Sequence, residues 1–297
     1  MIKPPMFLFP RLYPALFTIF LLVCSQSAWP ASSVWVVQKG QSKIFIAGSI
    51  HLLRASDHPL PPEFSNALDQ SDEVLFETDI EALNGEAAQK QLRARGFYTL
   101  GETLRNYIQP HTLQSLERYC TSRGLSIDSL LPLKPWMIAM NLALLELQVS
   151  GISDQDGVES TILRQSRKQG KPVRGLVSVE EHFSTLAALD QIPADDLILH
   201  TLSEIEQTTP MAHAIIAAWR KGEVLALEKM FINPLNKTYP AIFKALLTDR
   251  NKRWIPLLEA LLERPRPALV VVGVAHLVGE QNVLALLAEK GFTVQRF

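Results

Sequence analysis

Two apolar segments that end in the same way constrain the fold of this 297-residue chain most strongly. Residues 45–53 read FIAGSIHLL and residues 270–278 read VVVGVAHLV. In each segment an apolar run reaches a glycine, and a histidine follows three positions later. A continuous apolar run is typical of a strand buried on both faces, in a sheet that helices cover on both sides. The two segments therefore predict an α/β fold with strands near both ends of the chain.

The chain between these segments is mostly helical in pattern. EVLFET at 73–78 is one further strand-like run, and KPVRGL at 171–176 is a short one. From about 81 to 265 the apolar residues otherwise recur with the helical period. We predict a mixed α/β (α+β) fold, with a central sheet built from strands at the N- and C-terminal ends and a long helical insertion over 81–265. Since no Pro/Gly/Ser-rich linker interrupts the chain, residues 29–297 are predicted to form one domain.

Residues 1–28 predict an export signal. Lys3 and Arg11, with no acidic residue, precede an apolar run of thirteen residues that ends at Cys24, and small residues follow. This is the order of a secretory signal peptide. The run is shorter than the roughly 20 residues of a membrane span, so we predict cleavage and a periplasmic protein. The alternative is an uncleaved segment that anchors the chain to the inner membrane. Cleavage would leave Cys120 as a single cysteine, buried or half-buried, without a disulfide partner.

The charge pattern argues against nucleic-acid binding. The formal net charge is −1 at pH 7, and the lysines and arginines are scattered, whereas nucleic-acid binding needs a basic patch. The sequence contains neither of the glycine-rich nucleotide motifs, and neither an HExxH helix nor a GxSxG elbow. The expected partner is a peptide or small-molecule substrate. Membrane contact is expected only through an uncleaved N-terminal segment, and the oligomeric state is open.

The repeated pattern places two histidines just beyond strand ends. Gly48 aligns with Gly273, and His51 aligns with His276. A glycine at a strand end permits a sharp turn and leaves room for a ligand or a neighbouring backbone. Ligands of open α/β sheets bind beyond the carboxyl ends of the strands. Each histidine alone would more often be a core residue with a hydrogen-bond partner, but the aligned pair predicts a shared site.

Glu77, near the end of the strand-like run at 73–78, adds a carboxylate. Two histidines and one glutamate are a known ligand set for a catalytic metal that keeps one position open for water. Such a metal lowers the pKa of the bound water to about 7. The same side chains could also work without metal, with a histidine as general base and Glu77 orienting it. A structural ion pair is the alternative for Glu77. The remaining histidines, His58, His111, His182, His200 and His213, are interpreted as surface or packing residues.

The segment TDRNKRW at 248–254 predicts the start of a helix. Asp249 would be the N-cap, which places Arg250 and Asn251 in the first turn. An arginine and a carboxamide at this position could hold a substrate carbonyl and stabilise an oxyanion. A solvated basic face is the alternative interpretation.

These residues and the longer segments around them resemble the TraB/GumN family, whose relatives include the animal Tiki proteases. The resemblance covers nearly all of the chain after the signal, from VWVVQKGQSKIFIAGSIH through DGVESTILRQSRKQGKPVRGLVSVEEHF to VVVGVAHLVGEQNVLALLAEKGFTVQRF. It implies a mixed α/β fold related to a superfamily that includes erythromycin esterases and ChaN-like haem-binding proteins.

The resemblance also implies an activity and a site. Tiki proteins are metal-dependent proteases, so it implies a divalent metal, Mn or Co, with Zn possible. The family's proposed catalytic residues correspond here to His51, His276 and Glu77, its Arg-Asn pair to Arg250 and Asn251, and its Gly-Val-Asp/Glu segment to Gly157, Val158 and Glu159.

We therefore predict an exported metal-dependent hydrolase that acts on a peptide bond. The predicted metal ligands are His51, His276 and Glu77. Glu77, Arg250 and Asn251 are the predicted catalytic residues, and Gly48, Gly157, Glu159 and Gly273 are predicted to shape the substrate site. The alternatives are a metal-free esterase-like hydrolase and a non-catalytic protein that binds a peptide or haem.

Overall fold

A six-stranded sheet assembled from both ends of the chain forms the centre of the fold. The computed structural model describes residues 32–297, so the predicted signal segment and its cleavage lie outside the described residues. The strands are β1 (Val34–Lys39), β2 (Ser42–Ser49), β3 (Leu53–Arg54), β4 (Glu73–Thr78), β5 (Ile152–Ser153), β6 (Val173–Val177), β7 (Ala268–Gly273) and β8 (Thr293–Arg296). The sheet has the order β6-β4-β7-β2-β1-β8, and β3 and β5 pair with each other separately.

Neighbouring strands from β6 to β2 are parallel, and β1 and β8 add antiparallel pairs at the other edge. Val270, Val271 and Val272 of β7 are each 1% exposed, as a continuous apolar run predicts for a central strand of a covered sheet. The predicted mixed α/β fold, with a sheet built from the terminal parts of the chain, is confirmed. The predicted run at 171–176 corresponds to β6 and joins the edge of the sheet. The insertion therefore contributes β6 to the central sheet and β5 to the separate pair, as well as helices.

Helices cover both faces of the sheet. They are α1 (Pro62–Asp69), α2 (Ile80–Leu83), α3 (Glu86–Gly96), α4 (Pro110–Ser122), α5 (Pro135–Val149), α6 (Val158–Lys168), α7 (Val179–Ser184), α8 (Ala194–Glu204), α9 (Thr208–Arg220), α10 (Val224–Leu227), α11 (Asn233–Thr238), α12 (Pro240–Phe243), α13 (Asp249–Leu262) and α14 (Val283–Glu289). Phe45 and its face of β2 pack with α1, α6 and α9. Ile46 and the opposite face pack with α13 and α14, because successive side chains of a strand alternate between faces.

A third buried cluster lies among the helices of the insertion. Leu116 of α4, Ile138 of α5 and Ile198 of α8 are buried in it. Cys120 belongs to the same cluster and is a buried free thiol. The most apolar helix by sequence, α5, has only 15 residues, and no helix within residues 32–297 is long and apolar enough to cross a membrane.

The helix that carries Arg250 and Asn251 begins earlier than predicted. α12, a π-helical turn at Lys244–Thr248 and α13 follow one another without a break. Asp249 therefore lies inside the helix and is not an N-cap; its carboxylate accepts from Nζ of Lys244 at 2.6 Å. The upstream turns remain helical because they bury Ile242 and Leu247, and this packing outweighs the local preference for a cap at Asp249.

Candidate active site

Three neighbouring parallel strands bring the predicted histidines and Glu77 to one edge of the sheet. β7 lies between β2 and β4, so the carboxyl ends of all three strands share this edge. His51 follows β2, and Glu77 is the penultimate residue of β4. His276 lies in the 3₁₀ turn Val274–Leu277 directly after β7. This is the edge at which open α/β sheets bind ligands.

A cavity of about 210 Å³ opens at this edge. Its polar lining comprises His51, Glu77, Thr78, Asp154, Glu159, Ser160 and His182. His276, Arg250 and Asn251 are not among the lining side chains, because they are buried and contact Glu77 or one another. The structure therefore divides the predicted residues between the cavity wall and a buried network that supports it.

Glu77 connects the cavity wall to the buried network. Its Oε1 accepts from the backbone N–H of Gly273 at 2.8 Å, and its Oε2 accepts from Nη2 of Arg250 at 2.5 Å. The side chains of Arg250 and Glu77 are only 10% and 12% exposed. The guanidinium of Arg250 also lies over the ring of Trp254, at 4.8 Å from its centroid. A buried charge-assisted pair of this kind fixes both side chains.

His276 is held by hydrogen bonds at both ring nitrogens. Nδ1 lies 2.6 Å from Oδ1 of Asn251, whose Nδ2 donates to the carbonyl of Gln281 at 3.0 Å. The amide of Asn251 thus presents an acceptor, so Nδ1 of His276 is assigned as the donor. Nε2 is then an acceptor, and Nη1 of Arg250 lies 3.3 Å from it. Asn251 therefore positions His276, and the structure does not place it at the cavity where the sequence predicted an oxyanion role.

His51 is paired with Glu159, not with Glu77. Its Nδ1 lies 2.7 Å from Oε1 of Glu159, and the same oxygen accepts from the hydroxyl of Ser49. The His51 side chain is 70% exposed, whereas that of Glu159 is 15% exposed. Oε2 of Glu159 is buried and has no hydrogen-bond partner within residues 32–297. A partly buried carboxylate thus orients an accessible imidazole at the cavity.

The buried network fixes the charges of Glu77 and His276. Burial opposes ionisation of Glu77, but the adjacent His276, Arg250 and His51 outweigh it, and the pKa of the Glu77 carboxyl is lowered. Burial lowers the pKa of His276 to about 4, against the opposing effect of Glu77. At neutral pH the network therefore contains an ionised Glu77, a cationic Arg250 and a neutral His276.

The electrostatics of the His51–Glu159 pair predict a pH-dependent stability. The charge of Glu159 raises the pKa of His51 to about 9. A raised histidine pKa stabilises the fold fully below the unfolded value of about 6.5, and this stability is lost as the pH rises through the folded value. Because the ring is largely exposed, we expect about 1 kcal/mol or less.

This expectation is measured by urea unfolding at pH 6 and pH 9.5, together with NMR titration of the His51 ring. The wild type should lose more stability between the two pH values than His51→Gln, and Glu159→Gln should return the His51 pKa toward about 6.5. An equal loss in wild type and His51→Gln would contradict the assigned pair.

The predicted glycines allow close backbone packing. A Cβ on Gly157 would lie 2.0 Å from the carbonyl oxygen of His51, and one on Gly48 would lie 3.0 Å from Val274. A Cβ on Gly273 would lie 3.3 Å from Oε1 of Glu77. Gly157 therefore brings the N-terminus of α6, with Glu159 in its first turn, against the backbone of His51. These glycines shape the site by holding its side chains rather than by opening space for a ligand.

Ser49 and His182 belong to the site but were not predicted from the sequence, and neither were Thr78, Asp154 and Ser160 of the cavity lining. Ser49 is buried beneath Glu159, and its position two residues before His51 is the only local signal for it. His182 of α7 lines the cavity, and its Nδ1 is buried without a hydrogen-bond partner within residues 32–297. Its helical sequence context indicated only a surface or packing role.

The placement of Arg250 bears on the predicted metal. Within residues 32–297 no group of three or more His, Cys, Asp or Glu side chains is arranged to hold a metal ion. A metal shared by His276 and Glu77 would need the position between them, where the Arg250 guanidinium donates to both. A fixed positive charge there repels a divalent cation. The arrangement therefore does not fit a metal shared by the three predicted ligands, and the cofactor stays a prediction.

Comparison with known proteins places the whole described fold in one family. The profile of the TraB/PrgY/gumN family matches residues 33–296, which include every predicted site residue. Comparisons with curated proteins and with solved structures returned no significant match. Since the matched range covers the sheet, the insertion and the cavity together, the chain belongs to the TraB/PrgY/gumN family.

Proposed function

We propose that this protein is a hydrolase that cleaves a peptide bond with a water activated by His51. The observation that carries the proposal is the 2.7 Å pair of His51 and Glu159 at the edge of the cavity. A histidine that is oriented at one nitrogen by a carboxylate and accessible at the ring is the usual arrangement of a general base. That the substrate is a peptide bond is inferred from the family resemblance. The His51–Glu159 pair suits any substrate with a carbonyl group.

The reaction proceeds through this chain's own groups. Because the pKa of His51 is raised to about 9, only the deprotonated fraction of His51 reacts at neutral pH. In that form His51 takes a proton from water as the water oxygen bonds to the substrate carbonyl carbon. The carbonyl π electrons move to oxygen, and the resulting oxyanion then re-forms the carbonyl as the C–N bond breaks. The leaving amine takes the proton from the imidazolium, which returns His51 to its starting state. Glu159 stabilises the imidazolium formed between the two proton transfers.

The N-terminal turn of α6 supplies positive potential at the cavity. Glu159 and Ser160 lie in this turn and line the cavity. The backbone N–H groups of a helix N-terminus favour negative charge. This potential stabilises the Glu159 carboxylate, which in turn orients His51. Glu77, held by Arg250 and Gly273, forms a rigid, negatively charged part of the cavity wall. Arg250 acts through Glu77 as a positioning residue.

A metal-dependent hydrolase is the second candidate, and one observation favours it. His51 and His276 are each held at Nδ1 by a side-chain oxygen, which is the common way to orient a metal-ligating histidine. His51, His276 and Glu77 would hold the metal if Arg250 moved away. A bound Mn, Co or Zn ion would supply a water of lowered pKa.

Chelation distinguishes the candidates. The purified protein is stripped with a chelator and assayed on a broad library of peptides and activated esters, with and without added Mn, Co or Zn. We expect turnover to survive chelation and to be lost in His51→Gln. Loss of turnover on chelation with recovery on Mn or Co would establish the metal-dependent reaction instead. Tight peptide or haem binding without turnover of any substrate would favour the binding protein and contradict the proposal.

A further inference from the structure

A second and larger cavity lies among the helices of the insertion, apart from the site at the sheet edge. Its volume is about 590 Å³, within the usual range of ligand pockets. It is bounded by the end of α3 and the loop that follows, the start of α5, and residues 189–194. None of its lining residues belongs to the cavity that contains His51. We call this second cavity the aromatic groove.

Four aromatic side chains line the groove, namely Phe97, Tyr98, Tyr107 and Trp136. Tyr98 and Tyr107 stack face to face, with centroids 4.5 Å apart and an interplanar angle of 6°. Phe97 and Tyr107 are exposed at the groove. Exposed flat aromatic surface of this kind is costly in water, and it binds planar or cationic groups.

One of the residues that line the groove has a buried hydrogen-bond donor without a partner in the part of the chain that the structure describes. Trp136 lines it and is 2% exposed. Its Nε1–H is buried without an acceptor within residues 32–297. Buried tryptophan N–H groups usually have an acceptor, and an oxygen of a bound ligand would supply one here.

The charges of the groove favour a cation. Nζ of Lys134 is paired with Asp190 at 2.7 Å, which neutralises both. Glu102 accepts from the Thr99 hydroxyl at 2.7 Å, and no cationic side chain within residues 32–297 forms a salt bridge to it. Burial is the main cause that raises the pKa of Tyr98 to about 12, and the neighbouring Tyr107, Asp190 and Glu102 add to it.

We propose that the aromatic groove binds a basic residue of a peptide. The guanidinium or ammonium group would lie against the tyrosine pair next to Glu102, and a peptide carbonyl oxygen would accept from the Trp136 indole. Aromatic rings beside a carboxylate are a known arrangement for organic cations. The peptide backbone supplies the acceptor that a free amine lacks. Binding of this kind does not depend on hydrolysis, so it can hold whether or not the proposed reaction is correct.

The test uses the full chain and three small probes. These are N-acetyl-arginine amide, the uncharged N-acetyl-citrulline amide, and butylguanidinium, which has the cation but no carbonyl. Binding is followed by the indole N–H signals in ¹H–¹⁵N NMR spectra, where the signal lost in Trp136→Phe identifies Trp136. We expect N-acetyl-arginine amide to shift that signal saturably, and the other two probes to bind at least about fivefold more weakly.

Two variants test the assigned contacts. Measured by isothermal titration calorimetry, which does not depend on the Trp136 signal, Glu102→Gln and Trp136→Phe should each weaken binding of N-acetyl-arginine amide about fivefold. The exposed control Glu206→Gln should not weaken it. Thermal unfolding of each variant verifies that it is folded, and Glu102→Gln, at an exposed position, keeps the test valid if Trp136→Phe is unstable. Equal binding of the arginine and citrulline probes, or no saturable shift of the Trp136 signal, would overturn the proposal. Equal binding of butylguanidinium would overturn its peptide part.

Discussion

Glu77→Ala is expected to lower the free energy of unfolding by about 3–5 kcal/mol, which is the usual cost of removing one partner of a buried ion pair. The substitution leaves the Arg250 guanidinium buried at 10% exposure without its counter-charge. It also removes the acceptor of the Gly273 N–H. Urea unfolding at pH 7 measures the change, and it needs no knowledge of the substrate.

Companion variants separate the charge effect from lost packing. In Glu77→Gln/Arg250→Met both charges are removed, and we expect most of the lost stability to return. Lys244→Met breaks the exposed pair with Asp249 on the same helical segment and should cost less than about 1 kcal/mol. If Glu77→Ala costs no more than Lys244→Met, the buried pair is not formed as described.

His51→Gln is expected to lower kcat/KM by about 10²–10⁴, which is the usual contribution of a general base. Glutamine keeps a polar side chain at the cavity but cannot take a proton from water. Glu159→Gln should reduce the rate less, because it removes the orienting charge and leaves the imidazole in place. Rates are measured on the best substrate of the chelation experiment, at saturating and at limiting substrate.

The effect of His51→Gln is compared with that of the same substitution at a histidine outside the site. His200 is exposed on α8 and does not line the site cavity, so His200→Gln should leave the rate unchanged. A His51→Gln enzyme with wild-type kcat/KM would contradict the proposed role of the Glu159–His51 pair. If His51→Gln raises KM and leaves kcat unchanged, His51 acts in substrate binding instead.

Part of the site could be predicted because its signals are local. Each apolar run with its following glycine and histidine is contained within nine residues, and such a run encodes a buried strand that ends abruptly. Glu77 could be placed at a strand end for the same reason. The family match over residues 33–296 agrees with the resemblance drawn from these segments.

The partners of these residues could not be predicted. The sequence suggested Glu77 as the residue that orients a histidine base, yet the structure pairs His51 with Glu159, 108 positions away. It suggested Asn251 as an oxyanion donor, yet the amide is used to hold His276. His182 gave no signal at all. Each of these outcomes depends on how helices of the insertion pack against the sheet.

By itself the sequence determined the central strands β2, β4 and β7, their buried character and the presence of two histidines beyond strand ends. These features depend on the pattern of apolar residues within a few neighbouring positions, so they can be predicted from the sequence alone. Only the tertiary structure decided that β7 lies between β2 and β4, that Arg250 takes the position between Glu77 and His276, and that Glu159 is the partner of His51. Charge pairing and hydrogen bonding act over a few ångströms in space between residues far apart in the chain, and only the packed fold sets those distances.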